Sequence, residues 1–307
     1  MESGMINLGS SLKVPYVQEL AKEKFASVPP RYIRPDPTKL HGVSTEEIPV
    51  IDMQRLLSDE SVNPELEKLH FACKEWGFFQ LINHGVSSSL VDKLKLEMQK
   101  FFNLTIEEKK RFAQEPGDVE GYGQAFVVSE EQKLNWGDML FMVALPTHLR
   151  KPHLLPNLPL PFRETLDKYS RELKILAIKA LEQMTKALGM ELEDMTMLFQ
   201  EGLQSMRMNN YPPCPQPCPQ PVVPLPNAFI VNVGDILEIV TNGIYKSVEH
   251  RATVNLHNER LSIATFFSPK LDGDMGTAPS LITPENPAIF RRISMCRNIT
   301  HRITTNK

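Results

Sequence analysis

The chain has 307 residues with 34 basic and 37 acidic side chains, a formal net charge of −3. At about 150 residues per domain, this length allows one large domain or two small ones. The charge balance excludes the broad basic face that binds a phosphate backbone, so we expect no nucleic-acid partner. No apolar run approaches the roughly 18 residues of a membrane span, which argues against a membrane protein.

Features of the amino terminus and the cysteines point to a cytoplasmic protein. The first residues lack the basic start and the apolar block of a secretory signal. The four cysteines, Cys73, Cys214, Cys218 and Cys296, are few and unevenly spaced, as is typical of a reducing compartment. No second Cys/His pair stands at zinc-finger spacing, so the sequence does not favour a zinc site.

Apolar residues at helical spacing predict five helices, mostly in the first two thirds of the chain. The longest is expected to end at Gly189, because glycine readily adopts the left-handed backbone that closes a helix. The predicted helices are Val17 to Phe25, Glu65 to Trp76, Leu90 to Phe101 behind an N-cap at Ser87 to Ser89, Leu166 to Leu188, and Leu192 to Gln200.

Short runs of branched and aromatic residues predict strands, which cluster late in the chain. The last two are joined by the polar link Asn255 to Glu259, which has hairpin length, so we expect them to pair antiparallel. Helices followed by an antiparallel unit indicate an α+β fold. The predicted strands are Ile48 to Asp52, Phe78 to His84, Leu140 to Leu145, Met206 to Tyr211, Phe229 to Val233, Tyr245 to Val254 and Leu261 to Ser268.

The late hairpin carries the residues of chemical interest. Alternation turns His250 inward among apolar neighbours, either as a buried, hydrogen-bonded histidine or as a metal ligand. Arg260 and Ser262 share one face of the next strand and form either a carboxylate clamp or a rim salt bridge. If the link turns at about His257, the clamp lies roughly 13 Å from His250. A short dicarboxylate could then join the clamp to a metal on the histidine.

Four segments of the chain resemble the plant non-haem iron(II), 2-oxoglutarate-dependent dioxygenases. The resemblance extends nearly to Arg292 and is closest to the group of the senescence-related oxygenases and the alkaloid O-demethylases. The segments are CKEWGFFQLINHGV (Cys73 to Val86), MRMNNYPPCPQP (Met206 to Pro217), NAFIVNVGDILEIVTNGIYKSVEHRATVN (Asn227 to Asn255) and RLSIATFFSP (Arg260 to Pro269).

This resemblance implies a double-stranded β-helix, or jelly-roll, core flanked by helices. It implies an amino-terminal dioxygenase region over residues 1–160 and a jelly-roll region over residues 161–292. Residues 293–307 form a divergent tail that resembles nothing in the family. Nothing in the sequence indicates an oligomeric state.

The same resemblance implies the site residues and cofactors. His250 matches the distal ligand of a facial triad that holds Fe(II) together with a His-x-Asp pair. Arg260 and Ser262 match the clamp on the far carboxylate of 2-oxoglutarate, the co-substrate, and Asn209 and Tyr211 match its other contacts. Ascorbate is the expected reductant. The substrate would be a small molecule of plant specialised metabolism, altered by hydroxylation, desaturation or O-demethylation.

The chain departs from the family pattern where the His-x-Asp pair is expected. Between Cys214 and Asn227 there is no histidine and no acidic residue, and the tetrapeptide Cys-Pro-Gln-Pro occurs twice. Only His257 has an acidic residue two places on, Glu259, and that pair lies too far along the chain from His250 to share one ion. Three or four missing strands, about 30 to 45 residues, would account for the departure. We therefore expect part of the roll to be deleted near residues 214–227.

Two hypotheses follow for the function. The first is a cytosolic oxidoreductase of the 2-oxoglutarate and iron type, acting on a flavonoid, an alkaloid or a hormone precursor. The second is a non-catalytic member, produced by exon skipping or an imperfect gene model, that keeps the clamp but cannot hold iron tightly. The family favours the first hypothesis, and the missing ligands favour the second for this polypeptide.

Overall fold

The computed structural model describes residues 9–23, 28–33, 47–58, 63–215, 224–250, 252–270 and 274–294. Its helices are α1 (Val17–Leu20), α2 (Met53–Leu56), α3 (Pro64–Phe71), α4 (Ser88–Phe102), α5 (Ile106–Lys109), α6 (Leu160–Leu188), α7 (Leu192–Gln200) and α8 (Asp235–Val240). Among these described helices, none combines the length and the apolar character that crossing a bilayer would need.

The helices follow the apolar periodicity of the sequence closely. Helix α6 starts earlier than predicted, at Leu160, and ends as expected at Gly189, whose φ is +64°. Helix α3 continues into a π-helical turn, Ala72–Trp76, before Gly77 reverses the chain with a φ of +68°. Helix α1 ends at Leu20, whereas the sequence predicted a helix as far as Phe25. The prediction is wrong for residues 21–23, and residues 24 and 25 lie outside the described residues.

Nine strands form three sheets in the described part of the chain. The strands are β1 (Val50–Asp52), β2 (Phe78–Ile82), β3 (Gly121–Gly123), β4 (Asp138–Leu145), β5 (Leu203–Tyr211), β6 (Phe229–Asn232), β7 (Arg260–Ser268), β8 (Asp274–Met275) and β9 (Ile293–Ser294). The sheet orders are β1-β2-β6, β3-β4-β5-β7 and β8-β9. Every pair is antiparallel except β1 and β2, so the α+β prediction is confirmed.

The predicted late hairpin does not form. Strand β7 pairs with β5, in a continuous register from Leu203 opposite Ser268 to Tyr211 opposite Arg260. The described residues between 245 and 254 contain no strand. They run instead past the turn after α3, where the Lys246 amide donates to the Cys73 carbonyl at 3.2 Å. A strand prediction from alternation was wrong here because these backbone groups bond to that turn and not to a neighbouring strand.

The four-stranded sheet has two different faces. One face carries Met206 and Met208 of β5, which belong to the main core together with residues of α6. The hydroxyl of Ser170 on α6 lies 4.0 Å from the sulfur of Met206. By alternation, the opposite face of β5 carries Asn209 and Tyr211. The helices thus cover one face, and the predicted site residues lie on the other.

Candidate functional site

The register of β5 and β7 brings together the four residues predicted to contact 2-oxoglutarate. Asn209 stands opposite Ser262, and Tyr211 stands opposite Arg260. Each strand contributes two positions that are two residues apart, so all four side chains project from the same face of the sheet. We call this group the β5–β7 cluster.

Direct contacts join the members of the β5–β7 cluster. The guanidinium carbon of Arg260 lies 5.5 Å from the centroid of the Tyr211 ring, within the range of a cation–π interaction. The amide nitrogen Nδ2 of Asn209 donates to the Ser262 Oγ at 3.3 Å. The Oδ1 of Asn209 accepts from the Nε of Arg207 at 2.7 Å, which fixes the orientation of the amide. Alternation along β5 puts Arg207 on the same face, although the sequence analysis did not single it out.

Burial differs along the cluster. Asn209 and Tyr211 are each 4 % exposed, Ser262 is half-buried and Arg260 is exposed. The base of the cluster is therefore held by packing, and its charged end meets solvent. Because Asn209 donates to the Ser262 oxygen, the hydroxyl hydrogen of Ser262 is left to donate elsewhere. A guanidinium beside a hydroxyl donor is suited to binding a carboxylate.

The segment between β3 and β4 lies over the buried end of the cluster. A cavity of about 20 Å³ lies at this end, lined by Gln124, Ala125, Asn135, Gly137, Met139, Arg207, Asn209 and Tyr211. This volume holds about one water molecule, so the enclosed space is too small for a dicarboxylate. A Cβ on Gly137 would stand 2.6 Å from Cδ1 of Tyr211. Only the tertiary structure shows that this glycine permits the Tyr211 position.

His250 does not occupy the position that the sequence predicted. It is exposed, it lies in irregular structure, and its Nδ1 is 3.0 Å from the Val248 carbonyl oxygen. The inward orientation depended on the hairpin and was wrong. The distance of roughly 13 Å to Arg260 was derived from the same hairpin and loses its basis with it. The neighbouring Val248 side chain is directed toward Gly77, which explains why the segment follows the turn.

The residues that the structure describes do not form an iron site. Within the part of the chain that the structure describes, no three His, Cys, Asp or Glu side chains come together as a group that could hold a metal. Glu259 accepts from Asn210 at 3.0 Å and from Gln99 at 2.8 Å, and His257 donates its amide to the Asn255 side chain at 2.8 Å. Glu259 thus joins the start of β7 to β5 and to α4, and the backbone amide of His257 takes part in the turn at Asn255.

Asp138 is a buried carboxylate close to the cluster in the sheet but on its other face. It stands opposite Asn210 in the register and accepts from the backbone amides of Val17 and Gln18, each at 2.8 Å. Burial raises the pKa of Asp138 to about 6, against the opposing effect of these hydrogen bonds. Asp138 therefore anchors the start of α1 and does not supply a proton to the β5–β7 cluster.

Comparison with known proteins adds two family matches. Residues 48–158 match the model described as non-haem dioxygenase in morphine synthesis N-terminal. Residues 218–269 match the model described as 2OG-Fe(II) oxygenase superfamily. The second match includes β7 and therefore Arg260 and Ser262.

Similar proteins include plant demethylases. The chain is 54 % identical to oxoglutarate-dependent flavonoid 7-O-demethylase 1 of Ocimum basilicum, over 94 % of this chain and 86 % of that protein. It is 48 % identical to thebaine 6-O-demethylase of Papaver somniferum, over 99 % of this chain and 95 % of that protein. A crystal structure of JOX2 in complex with 2OG, Fe and JA superimposes with a TM-score of 0.80 at 29 % identity, covering 92 % of each chain.

Both alignments with these demethylases include positions at which this chain has no residue. The alignment with the basil protein has 321 positions and takes in 94 % of the 307 residues, about 289, so about 32 positions have no residue here. The alignment with the poppy protein has 347 positions and takes in 99 % of the chain, about 304, which leaves about 43. Neither alignment says where in the chain these positions fall, so the expected deletion near residues 214–227 stays a prediction.

Proposed function

The chain belongs to the 2-oxoglutarate- and iron(II)-dependent oxygenase superfamily, and from this membership we propose that it binds 2-oxoglutarate through the β5–β7 cluster without assembling the iron centre. The polypeptide is then a non-catalytic member of a family of plant oxygenases. The observation that carries this proposal is the pairing of Asn209 with Ser262 and of Tyr211 with Arg260 across two adjacent strands.

Each residue of the cluster has a distinct part in binding. The Arg260 guanidinium forms two parallel hydrogen bonds to one carboxylate of 2-oxoglutarate, and the Ser262 hydroxyl donates a third. The Tyr211 ring, 5.5 Å from the guanidinium carbon, limits the orientations that Arg260 can adopt. Asn209 sets the direction of the Ser262 hydroxyl through its 3.3 Å hydrogen bond. Packing thus prepares the cluster before the ligand arrives, which lowers the entropic cost of binding.

Four observations support the proposal that no iron centre forms. No histidine or acidic residue stands between Cys214 and Asn227. The part of the chain that the structure describes holds no group of three metal-ligating side chains, and His250 is exposed. The relatives' alignments contain about 32 and about 43 positions that this chain lacks. A single histidine cannot supply the affinity or the geometry of a facial triad.

A second function is favoured by a different observation, the 54 % identity to the basil flavonoid 7-O-demethylase. In this second function the protein is a hydroxylase, desaturase or O-demethylase that acts on a plant small molecule. Its cofactor is Fe(II), its co-substrate is 2-oxoglutarate and its reductant is ascorbate. When iron is held in this family, it supplies the oxidation that uses dioxygen. In that case a ligand set that includes residues outside the described ranges would have to form.

The binding half of the proposal is tested by thermal unfolding with and without 2-oxoglutarate. The dicarboxylate should raise the melting temperature in a concentration-dependent manner, because a ligand that binds only the folded state stabilises it. Arg260→Ala should abolish the shift, and Arg260→Lys should retain part of it. Arg171→Ala, at an exposed position of α6, is the matched control and should behave as the parent protein.

The catalytic half is tested by succinate release with Fe(II), ascorbate and 2-oxoglutarate, in the presence and absence of flavonoid and alkaloid substrates. We expect no release above background and no effect of His250→Ala. Steady release that His250→Ala abolishes would establish the second function and refute the first. Sequencing the transcript across codons 214 to 227 would show directly whether a His-x-Asp segment is encoded there.

A further inference from the structure

Strand β7 is the outer strand of the four-stranded sheet. Its nine residues pair with β5 along one side, and within the described ranges no strand pairs with the other side. The free edge is about 30 Å long at the rise of an antiparallel strand. Every residue of β7 is half-buried or exposed, and Phe266 is 46 % exposed.

This edge lacks the features that usually prevent strand addition. A free edge offers a row of unpaired N–H and C=O groups, which proteins protect with prolines, charges or bulges. Strand β7 contains no proline, its register with β5 has no bulge, and Arg260 at one end is its only charged residue. Within the described residues, this edge carries none of these protections apart from the charge of Arg260.

We propose that β7 pairs antiparallel with β7 of a second copy of this chain, about a two-fold axis at Ala264. This pairing is isologous and would join the two sheets into one. The opposed residues across the axis would be Arg260 and Ser268, Leu261 and Phe267, Ser262 and Phe266, Ile263 and Thr265, and the two Ala264 residues.

The residue types of β7 are complementary in this register. Branched and aromatic side chains face each other at Leu261–Phe267 and at Ile263–Thr265, which are favourable cross-strand pairs. The two Arg260 side chains stand at opposite ends of the paired strands, so the only charges of the edge do not repel each other. Small alanine side chains meet at the axis. The pairing extends the sheet within its own plane, so it leaves the face that carries Asn209 and Tyr211 open.

The oligomeric state of the full chain tests this proposal. Sedimentation velocity should detect a dimer that dissociates on dilution. Ala264→Lys and Ala264→Glu should each be monomeric, because like charges would be opposed at the axis. A mixture of the two variants should form a heterodimer, which only a two-fold pairing at this position predicts and which also shows that both variants fold. Arg171→Ala, on the exposed side of α6, changes the net charge by as much as Ala264→Glu does and should remain dimeric.

Amide hydrogen exchange provides a second measurement on the unmodified protein. Amides of β7 that point away from β5 should be protected at high protein concentration and should exchange rapidly at low concentration. The proposal is overturned if the parent protein stays monomeric, if it forms open-ended assemblies, or if its dimer is unaffected by either charge at position 264. Failure of the mixed variants to associate would equally refute pairing about Ala264.

Discussion

Strand β7 and the segment from Tyr245 to Val254 have similar sequence patterns but different structures. In both, branched and apolar residues alternate with polar ones, and both were predicted to be strands of one hairpin. Strand β7 forms a continuous ladder with β5. In the other segment, the described residues are irregular and His250 is exposed.

The difference between the two shows that alternation becomes a strand only where a partner is available. Strand β5 offers β7 a nine-residue edge in full register. The segment around Lys246 instead donates to the Cys73 carbonyl at 3.2 Å, and the amide of Ser247 donates to Glu238 at 3.2 Å. Backbone groups that cannot join a ladder must find such partners elsewhere.

The largest expected effect contrasts core packing beneath the β5–β7 ladder with packing in the irregular segment. Met208 of β5 is 0 % exposed, so Met208→Ala should lower the free energy of unfolding by about 2 to 5 kcal/mol through lost contacts and a cavity. Val248 is only half-buried, so Val248→Ala should cost about 1 kcal/mol or less. Urea denaturation of both variants measures the contrast. Equal losses would mean that the irregular segment is packed as tightly as the ladder.

A smaller expected effect concerns the anchor beneath the ladder, Asp138. Its folded-state pKa of about 6 lies above the value of about 3.9 in an unfolded chain. The folded state therefore retains a proton between about pH 4 and 6, and the free energy of unfolding should fall as pH rises through this interval, by on the order of 3 kcal/mol. Denaturation curves at several pH values, compared with those of Asp138→Asn, isolate this contribution. A variant with the same pH dependence as the parent would contradict the assignment.

A third contrast concerns the turn that holds the irregular segment. Gly77 and Gly85 have φ values of +68° and +79°, so an alanine at either position is strained by about 1 kcal/mol. A Cβ at Gly77 would also collide with the Lys246 carbonyl and Val248, whereas a Cβ at Gly85 would meet nothing within 4 Å. Gly77→Ala should thus be clearly more destabilising than Gly85→Ala in thermal unfolding. Similar losses would show that the segment does not depend on this turn.

Residue types and period-two spacing indicated the Arg260 and Ser262 part of the candidate site, whereas Asn209 and Tyr211 were implied by the family resemblance. Arg260 and Ser262 are two apart on one strand, and Asn209 and Tyr211 are two apart on another, so each pair shares a face whatever the topology. The sequence did not indicate that the two pairs would be direct cross-strand neighbours. It also gave no reason to single out Gly137, because the need for a small residue arises only when the Tyr211 ring packs against it.

The sequence by itself determined the local features of this protein. The apolar stripe of α6 and its end at Gly189 follow from the helical repeat and from the backbone freedom of glycine. The family and the lack of a His-x-Asp pair between Cys214 and Asn227 were likewise evident from the order of residues. Only the tertiary structure decided that β7 pairs with β5, which lies about 50 residues earlier in the chain, and that His250 is exposed. The reason is physical: periodicity depends on neighbours along the chain, whereas strand pairing depends on which distant edge is free to accept the hydrogen bonds.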